Sequence, residues 1–343
     1  MAVPALPPLP TSVIGSHSIP SWLTVALEQI RQGAFGRFDI RETLDDAVTV
    51  AMDDQIRAGV DVISDGEMRR QDFIMSFYDR LAGLRALEPA RKVGVLMYDR
   101  MALYQTVDRI SAPTGLGIVE EFKFARSRTD KPLKATCPGP LTLTTSMKIS
   151  APYRDPLDAV EDISGIVHSE LLRLAEAGAD FIQVDEPAFH PLFMKAPKEV
   201  VALFNRTVAG VRAKIAMHIC FGNLFGRPRT RRSYAPLLPY IRDLKAEQLV
   251  LEYANREMAE LELWKEYGGD KELAAGLIDI KTFYQESAEE VAARIRAALK
   301  VTTPQRLWIV PDCGFCFVPR WLTLGKLKAM VEGARIVRRE LAG

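Results

Sequence analysis

The sequence has few of the features that mark extracellular, membrane or nucleic-acid-binding proteins. Its 343 residues include only four cysteines, too few for a disulfide framework in a chain of this length. No apolar run approaches the ~20 residues that a transmembrane helix needs. The net charge is +1, which gives no electrostatic reason to expect a nucleic acid or an anionic membrane as a partner. We therefore expect a reducing compartment with free or metal-bound thiols.

Two further absences concern location and fold. Residues 1–10 are rich in proline and carry no charged side chain, so they lack the basic region and the long apolar stretch of a signal peptide. We expect an extended arm here and a cytoplasmic location. No G-x-G-x-x-G motif follows the first predicted strand, which weakens an open doubly wound sheet as the alternative fold.

Short apolar runs rich in β-branched residues alternate with helical patterns along most of the chain. We predict eight strands, at 12–17, 61–64, 133–137, 181–184, 214–217, 248–251, 274–280 and 306–310. Such strands are typical of sheets buried on both faces, and strand–helix alternation predicts parallel pairing. Eight units in this length favour a single (β/α)8 TIM barrel, with residues 1–343 as one domain.

The other segments are helices and one long interruption. Helical patterns predict helices at 43–58, 156–177, 197–211, 234–244, 256–267, 286–300 and 321–341. Residues 68–130 break the rhythm and are too long for a simple loop. They predict an insertion after strand 2, made of helices and a small hairpin, that covers the mouth of the barrel.

Polar or titratable side chains follow almost every predicted strand. They are Ser16 and His17, Asp65 and Glu67, Cys137, Asp185 and Glu186, His218 and Cys220, Glu252, Lys281, and Asp312 and Cys313. The carboxyl ends of barrel strands face one shared mouth, where the active sites of such barrels lie. We therefore expect these side chains to form one site.

Four of these residues, His218, Cys220, Glu252 and Cys313, have the ligand types that zinc prefers. In His-x-Cys the two side chains point the same way on an extended segment. That motif alone is more often a core cysteine beside a hydrogen-bonded histidine, but the two later strand-end residues favour a metal. Two thiolates and a carboxylate make hydroxide hard to generate, whereas a coordinating substrate thiol is deprotonated. The set thus predicts thiol chemistry, with Glu252 as the most easily displaced ligand.

The two remaining cysteines give weaker indications of function. Cys313 and Cys316 have the C-x-x-C spacing of a redox pair or a shared metal knot. We favour one ligand, Cys313, plus one buried thiol, because Cys316 lies beyond the strand end. Cys137 is expected to be a buried strand-end thiol or a pocket wall.

Seven short motifs occur in a distinctive order: Ile14-Gly15-Ser16, Asp65-Gly66-Glu67, Gly139-Pro140-Leu141-Thr142, Val184-Asp185-Glu186-Pro187-Ala188, His218-Ile219-Cys220, Glu252 and Pro311-Asp312-Cys313-Gly314. Over nearly the whole chain this order resembles the C-terminal catalytic barrel of cobalamin-independent methionine synthase. The resemblance implies a zinc ion held by His218, Cys220, Glu252 and Cys313. It also implies that homocysteine is bound by Ile14, Gly15, Ser16, Glu67 and Asp185.

The carboxylates of Glu67 and Asp185 suit an α-ammonium group, and backbone N–H groups near Ser16 suit an α-carboxylate. Each could instead be a structural group that closes a strand end. Two carboxylates aimed at one mouth are costly without a cation, which favours the functional interpretation.

Two features that the family uses for folate are missing, along with the second barrel of the full-length enzyme. Residues 141–147 contain no tryptophan, and Lys281 stands where the family has a histidine that protonates the folate leaving group. The chain in this respect resembles the short "core" methionine synthases. That implies methylcobalamin, free or on a corrinoid protein, as the methyl donor, because methyl leaving cob(III)alamin needs no proton donor.

Three alternatives stay open. The donor could be methyltetrahydrofolate, or the barrel could join another thiol such as coenzyme M to an epoxide. Glu67 and Asp185 argue against an anionic sulfonate thiol. A non-enzymatic zinc- or corrinoid-binding accessory protein would have a closed structural metal site, whereas a glutamate ligand in a polar mouth favours catalysis.

Overall fold

The computed structural model describes residues 6–70, 72–88, 103–186, 190–223 (without the side chain of Met194) and 231–343. Its strands are β1 (Ala82–Leu87), β2 (Leu103–Ser111), β3 (Ala135–Pro138), β4 (Met147–Lys148), β5 (Phe181–Asp185), β6 (Lys214–Ile219), β7 (Gln248–Glu252), β8 (Glu272–Ile278) and β9 (Leu307–Pro311). Its α-helices are α1 (Ser21–Arg31), α2 (Arg37–Ala58), α3 (Ile118–Arg126), α4 (Pro140–Thr144), α5 (Pro156–Glu176), α6 (Pro191–Lys195), α7 (Pro197–Thr207), α8 (Trp264–Tyr267), α9 (Ala288–Ala298) and α10 (Arg320–Ala342).

A parallel sheet forms the frame of the molecule. Its six strands pair in chain order, β3-β5-β6-β7-β8-β9. Isolated parallel bridges join Thr11 to Ile309, Ser12 to Val62 and Ile63 to Leu133. The first two predicted strands are thus present as bridges rather than as full ladders. The predicted α/β class with a parallel sheet is confirmed.

The sheet is buried on both faces, as its apolar strands predict. Every residue of β5, β7 and β9 is buried. Helices cover the outer face, where α10 packs against α2 and α9. None of the described helices combines the length and the apolar character needed to cross a membrane.

The predicted insertion at 68–130 contains a hairpin and helices in its described part. A 3-10 helix at Met75–Arg80 precedes the antiparallel pair β1–β2, and α3 follows. β4 joins β2 in parallel, so these three strands form a separate small sheet. Residues 71 and 89–102 of the predicted insertion lie outside the described residues.

Two predicted helices are wrong. The first, at 234–244, contains only a 3-10 helix at Leu238–Asp243, because Pro236 and Pro239 each lack an amide donor and clash with a helical backbone. The second, at 256–267, is α-helical only at Trp264–Tyr267. Three non-glycine residues ahead of it, Glu257, Met258 and Glu260, have left-handed φ values of 52°, 63° and 65° that interrupt a helix.

Candidate metal centre

Three of the four predicted zinc ligands converge at the carboxyl ends of β6 and β9. His218 lies in β6 and Cys220 directly follows it, while Cys313 lies two residues beyond β9. One ligand atom from each residue lies within 4.8 Å of the other two. The sulfur atoms of Cys220 and Cys313 are 3.8 Å apart. One nitrogen and two sulfurs are a donor set that zinc accepts.

The orientation of His218 leaves one ring nitrogen available to a ligand. Nδ1 of His218 lies 2.7 Å from Oδ1 of Asp185, and a carboxylate only accepts, so Nδ1 donates. Nε2 is buried and has no hydrogen-bond partner among the described residues. Buried polar atoms are normally satisfied, so Nε2 fits a metal ion. A histidine whose other nitrogen is held by a carboxylate is the usual arrangement of a metal ligand.

The two thiols differ in acidity. The hydrogen bond from Cys220 lowers the pKa of Cys313 to about 7, and the positive charge of Lys281 acts in the same direction. The same hydrogen bond, together with burial, raises the pKa of Cys220 well above its usual range. A bound cation would favour the thiolate form of both.

Glu252, the fourth predicted ligand, lies outside this three-residue cluster. It ends β7, and its Oε2 accepts a hydrogen bond from Nζ of Lys281 at 2.7 Å, with both side chains 0% exposed. Burial would lower the pKa of Lys281, but the charge and hydrogen bond of Glu252, together with the charges of Cys313 and Cys220, outweigh burial and raise it. The second carboxylate oxygen, Oε1, is buried without a partner in the described part of the chain. Direct ligation by Glu252 stays a prediction.

Asp312 ties the end of β7 to the segment that carries Cys313. Its carboxylate accepts hydrogen bonds from the backbone N–H groups of Tyr253, Ala254 and Asn255, at 2.9, 2.9 and 2.6 Å. These three residues directly follow Glu252 in the chain. The glutamate and the cysteine are therefore held in a fixed relation by a carboxylate that reaches neither the cluster nor Lys281 in any described hydrogen bond.

The Ile14-Gly15-Ser16 segment, predicted to bind substrate, lies against the same loop. Ser16 O accepts a hydrogen bond from the backbone N–H of Phe315 at 2.8 Å. A Cβ on Gly314 would overlap Oγ of Ser16, and a Cβ on Gly15 would overlap Oε1 of Glu67. The side chains of Ser16 and Glu67 thus occupy the space that a larger residue at position 314 or 15 would need.

A chain of buried hydrogen bonds leads through Asp185 to His218 of the three-residue cluster. Nζ of Lys134 donates to Oε1 of Gln183 at 2.6 Å, and Nε2 of Gln183 donates to Oδ1 of Asp185 at 2.7 Å and to Ile14 O at 2.9 Å. Burial lowers the pKa of Lys134 to about 7, against the charges of Asp185 and Glu67. Our prediction from the sequence missed Lys134 and Gln183. Both could have been found from the sequence, because each is a polar residue within a predicted apolar strand.

Glu67 has a cation within the protein. Its Oε1 accepts from Nη1 of Arg70 at 2.9 Å and from Oγ1 of Thr136 at 2.7 Å, and Arg70 also pairs with Glu121. Burial raises the pKa of Glu67 to about 7 despite the charge of Arg70. Glu67 has a left-handed φ of 56°, which is uncommon away from glycine and fits a residue held in place by its surroundings.

Cys137 and Cys316 lie outside the three-residue cluster. Cys137 is 0% exposed, as a buried strand-end thiol should be. Burial raises the pKa of Cys316 to about 12, although a hydrogen bond with Ser16 acts in the opposite direction. Cys316 is half-buried rather than fully buried, and the assignment of one ligand and one further thiol to the C-x-x-C pair stays a prediction.

Comparison with known proteins identifies the family. A family model described as "Cobalamin-independent synthase, Catalytic domain" matches residues 9–336. The chain belongs to this family. Methionine synthase from Saccharolobus solfataricus is 37% identical over 338 residues, covering 98% of this chain and 97% of that protein. Methionine synthase from Sulfurisphaera tokodaii is 36% identical over 337 residues, covering 98% and 94%.

A solved structure gives the same relationship. The B12-independent methionine synthase from Shewanella sp. W3-18-1, in complex with selenomethionine, superposes with a TM-score of 0.84 at 29% identity, covering 98% of this chain and 99% of that one. Membership of the cobalamin-independent methionine synthase family confirms the predicted resemblance and the predicted enzyme class, a methyltransferase.

Proposed function

We propose that the chain is a zinc-dependent methionine synthase that transfers a methyl group to the thiol of homocysteine. The observation that carries this proposal is the convergence of His218, Cys220 and Cys313, with Nε2 of His218 buried and without a partner in the described residues. The names of the relatives agree with it. When bound, zinc supplies a Lewis acid that favours the thiolate form of a substrate thiol.

The chain's own residues divide into holding and orienting groups. His218, Cys220 and Cys313 would hold the metal, with Glu252 as a fourth, displaceable ligand. Asp185 fixes the ring of His218 so that Nε2 is free to bind. Glu67, Asp185 and the Ile14-Gly15-Ser16 backbone remain the proposed contacts for the amino-acid part of homocysteine. Their support is position, because Ile14 O shares Gln183 with Asp185 and Ser16 contacts the loop after Cys313.

The methyl donor in this proposal is methylcobalamin, free or on a corrinoid protein, rather than methyltetrahydrofolate. Lys281 supports it, because the histidine that the family uses as a proton donor is replaced here by a buried lysine paired with Glu252. The family description names cobalamin independence, so the folate donor is the outcome that a test has to separate.

The proposal includes a closed (β/α)8 barrel formed by residues 1–343 as one domain, with the 68–130 insertion over its mouth. Two observations support closure. The bridges at Thr11, Ser12, Val62 and Ile63 connect β9 with the segment just ahead of β3. One apolar cluster also contains side chains from both bridged segments and from five strands: Ile14, Val62, Phe181, Ala216, Val250, Ala274, Trp308 and Val310. Layers of this kind fill the interior of such barrels.

The metal part of the proposal is tested with two cysteine variants. We expect purified wild-type protein to contain one zinc per chain and to form methionine from homocysteine. Cys220→Ala should lose both, because one of three clustered donors is gone. Cys137→Ala removes an equally buried thiol outside the cluster and should keep its zinc. Full methionine formation by Cys220→Ala would overturn the proposal.

The donor is tested on the same zinc-loaded protein with homocysteine and either methylcobalamin or methyltetrahydrofolate. Methionine formed from methylcobalamin is the expected result. Methionine formed only from the folate would contradict the donor assignment and leave the zinc and thiol parts intact.

A further inference from the structure

The side chains of Lys281 and Glu252 form an ion pair beside the three-residue cluster. Lys281 follows β8 and Glu252 ends β7, and both side chains are fully buried. The lysine Nζ contacts only Oε2 of the glutamate in the hydrogen bonds of the described residues, at 2.7 Å. Oε1 has no partner there. One oxygen of the Glu252 carboxylate is thus paired and the other is not.

Glu252 lies beside the chain segment that carries Cys220. The backbone N–H of Phe221, directly after Cys220, points at Oε2 of Glu252 from 3.5 Å. The carboxylate therefore lies beside the segment that carries Cys220 as well as beside the ammonium of Lys281.

A tetrahedral zinc site with four protein ligands has no place for a substrate thiol. If Glu252 gives up its place, it becomes a buried carboxylate, and an unpaired buried charge costs several kcal/mol. Lys281 removes that penalty because its ammonium already lies at hydrogen-bond distance from Oε2.

We propose that Lys281 is a positioning residue that pairs with the Glu252 carboxylate once it leaves the metal, and so makes the fourth coordination position available to the substrate thiol. The inference rests on the proposed zinc-dependent thiol chemistry. It assigns to Lys281 a function in this chain at the position where the resemblance expects a histidine.

The test uses full-length Lys281→Met, which removes the ammonium group while keeping an unbranched apolar side chain. Zinc affinity is measured by competition with a chromophoric chelator. Thiol binding is measured by titrating the Co²⁺-substituted protein with homocysteine and following its visible absorption. We expect Lys281→Met to bind zinc about tenfold more tightly, at the low end of the range that groups outside the ligand set produce. Homocysteine should bind about tenfold more weakly, because it must compete with a ligating Glu252.

Two matched variants separate this role from a structural one. Lys281→Arg keeps the charge and should restore homocysteine binding to near the wild-type level. In a Glu252→Gln background the effect of Lys281→Met on homocysteine binding should disappear, because the two side chains act through each other. An undiminished effect in that background would overturn the proposal. Lys281→Gln is the second uncharged variant if Lys281→Met does not fold, with the same expected directions.

The outcomes also separate this inference from the proposed function. A wild-type cobalt spectrum that does not respond to homocysteine defeats the thiol mechanism and the inference with it. A wild-type spectrum that responds, with identical zinc and homocysteine affinities in Lys281→Met, defeats the inference alone.

Discussion

The two sides of the candidate site are satisfied in opposite ways. On the metal side, Nε2 of His218 and Oε1 of Glu252 are buried without hydrogen-bond partners in the described residues. On the other side, Glu67 is bound by Arg70 and Thr136, and Arg70 has a second partner in Glu121. Buried polar groups are normally paired, so the two unpaired atoms of the metal side fit the proposed metal ion.

The pairing of Glu67 bears on the prediction that Glu67 and Asp185 bind an ammonium group. Their shared negative charge predicted a cation, and the expected cation was the substrate. The structure provides a cation from the protein for Glu67, which pairs with Arg70, whereas Asp185 accepts hydrogen bonds from Gln183 and His218. A substrate ammonium is therefore not needed to pair with Glu67, and the substrate-binding role of both carboxylates stays a prediction.

Replacing Arg70 by methionine should have the largest effect, because it makes the satisfied side unsatisfied. Arg70→Met leaves Glu67 and Glu121 buried without their cation, and loss of one partner of a buried ion pair costs about 3–5 kcal/mol. Urea unfolding at pH 7 measures the change in the free energy of unfolding. The exposed Arg85→Met is the control and should change it by less than about 0.5 kcal/mol. A loss below 1 kcal/mol in Arg70→Met would show that the pairing is dispensable, on the scale of about 1 kcal/mol for an average mutation.

Replacing Asp185 by asparagine should weaken the metal side. Loss of the carboxylate that orients a ligating histidine typically lowers metal affinity about 10–100-fold, and Asp185→Asn should lower zinc affinity by that factor. Asp54→Asn is the matched control, since Asp54 also contacts a buried histidine, His17, but away from the cluster. Chelator competition measures both variants. Equal losses in the two would mean that the effect is general destabilisation.

Acid should remove a smaller stabilising contribution from Asp54, a satisfied carboxylate outside both sides. Burial would raise the pKa of Asp54, but Arg320 and His17 outweigh it and lower the pKa to about 2. A carboxyl group with a lowered folded-state pKa stabilises above its unfolded pKa of 3.8, and that stability is lost as pH falls towards 2. The contribution is at most about 2 kcal/mol.

Unfolding free energies between pH 5 and pH 2, conditions we choose to bracket this titration, measure the effect. Wild-type protein should lose more stability over the range than Asp54→Asn, whereas the exposed Asp108→Asn should follow the wild type. Parallel curves for wild type and Asp54→Asn would contradict the assignment.

The strand-end residues could be predicted from the sequence because parallel strands bring their carboxyl ends to one edge. That rule alone placed His218, Cys220 and Cys313 together. The failed helix at 234–244 also had a readable signal in Pro236 and Pro239. The left-handed φ values at Glu257 and Met258 had none, because non-glycine residues reach that conformation only where tertiary contacts impose it.

The pairing of charges could not be predicted in the same way. Lys281 and Glu252 come from neighbouring strands, and the sequence does not say whether the lysine points at the glutamate or past it. Arg70 lies three residues from Glu67, yet its second partner, Glu121, belongs to the far end of the insertion. Such contacts depend on how a separate segment packs, which no local pattern encodes.

Asp312 sets a limit on redesign of this centre. Asp312 directly precedes Cys313, and its carboxylate accepts hydrogen bonds from the three consecutive backbone N–H groups that follow Glu252. A combinatorial library that varies Cys313 to change metal preference can alter the donor atom and still keep its distance from β7, provided that position 312 remains aspartate. Randomising both positions together would lose the donor and the scaffold in one step, and the selected clones would report on folding rather than on metal choice.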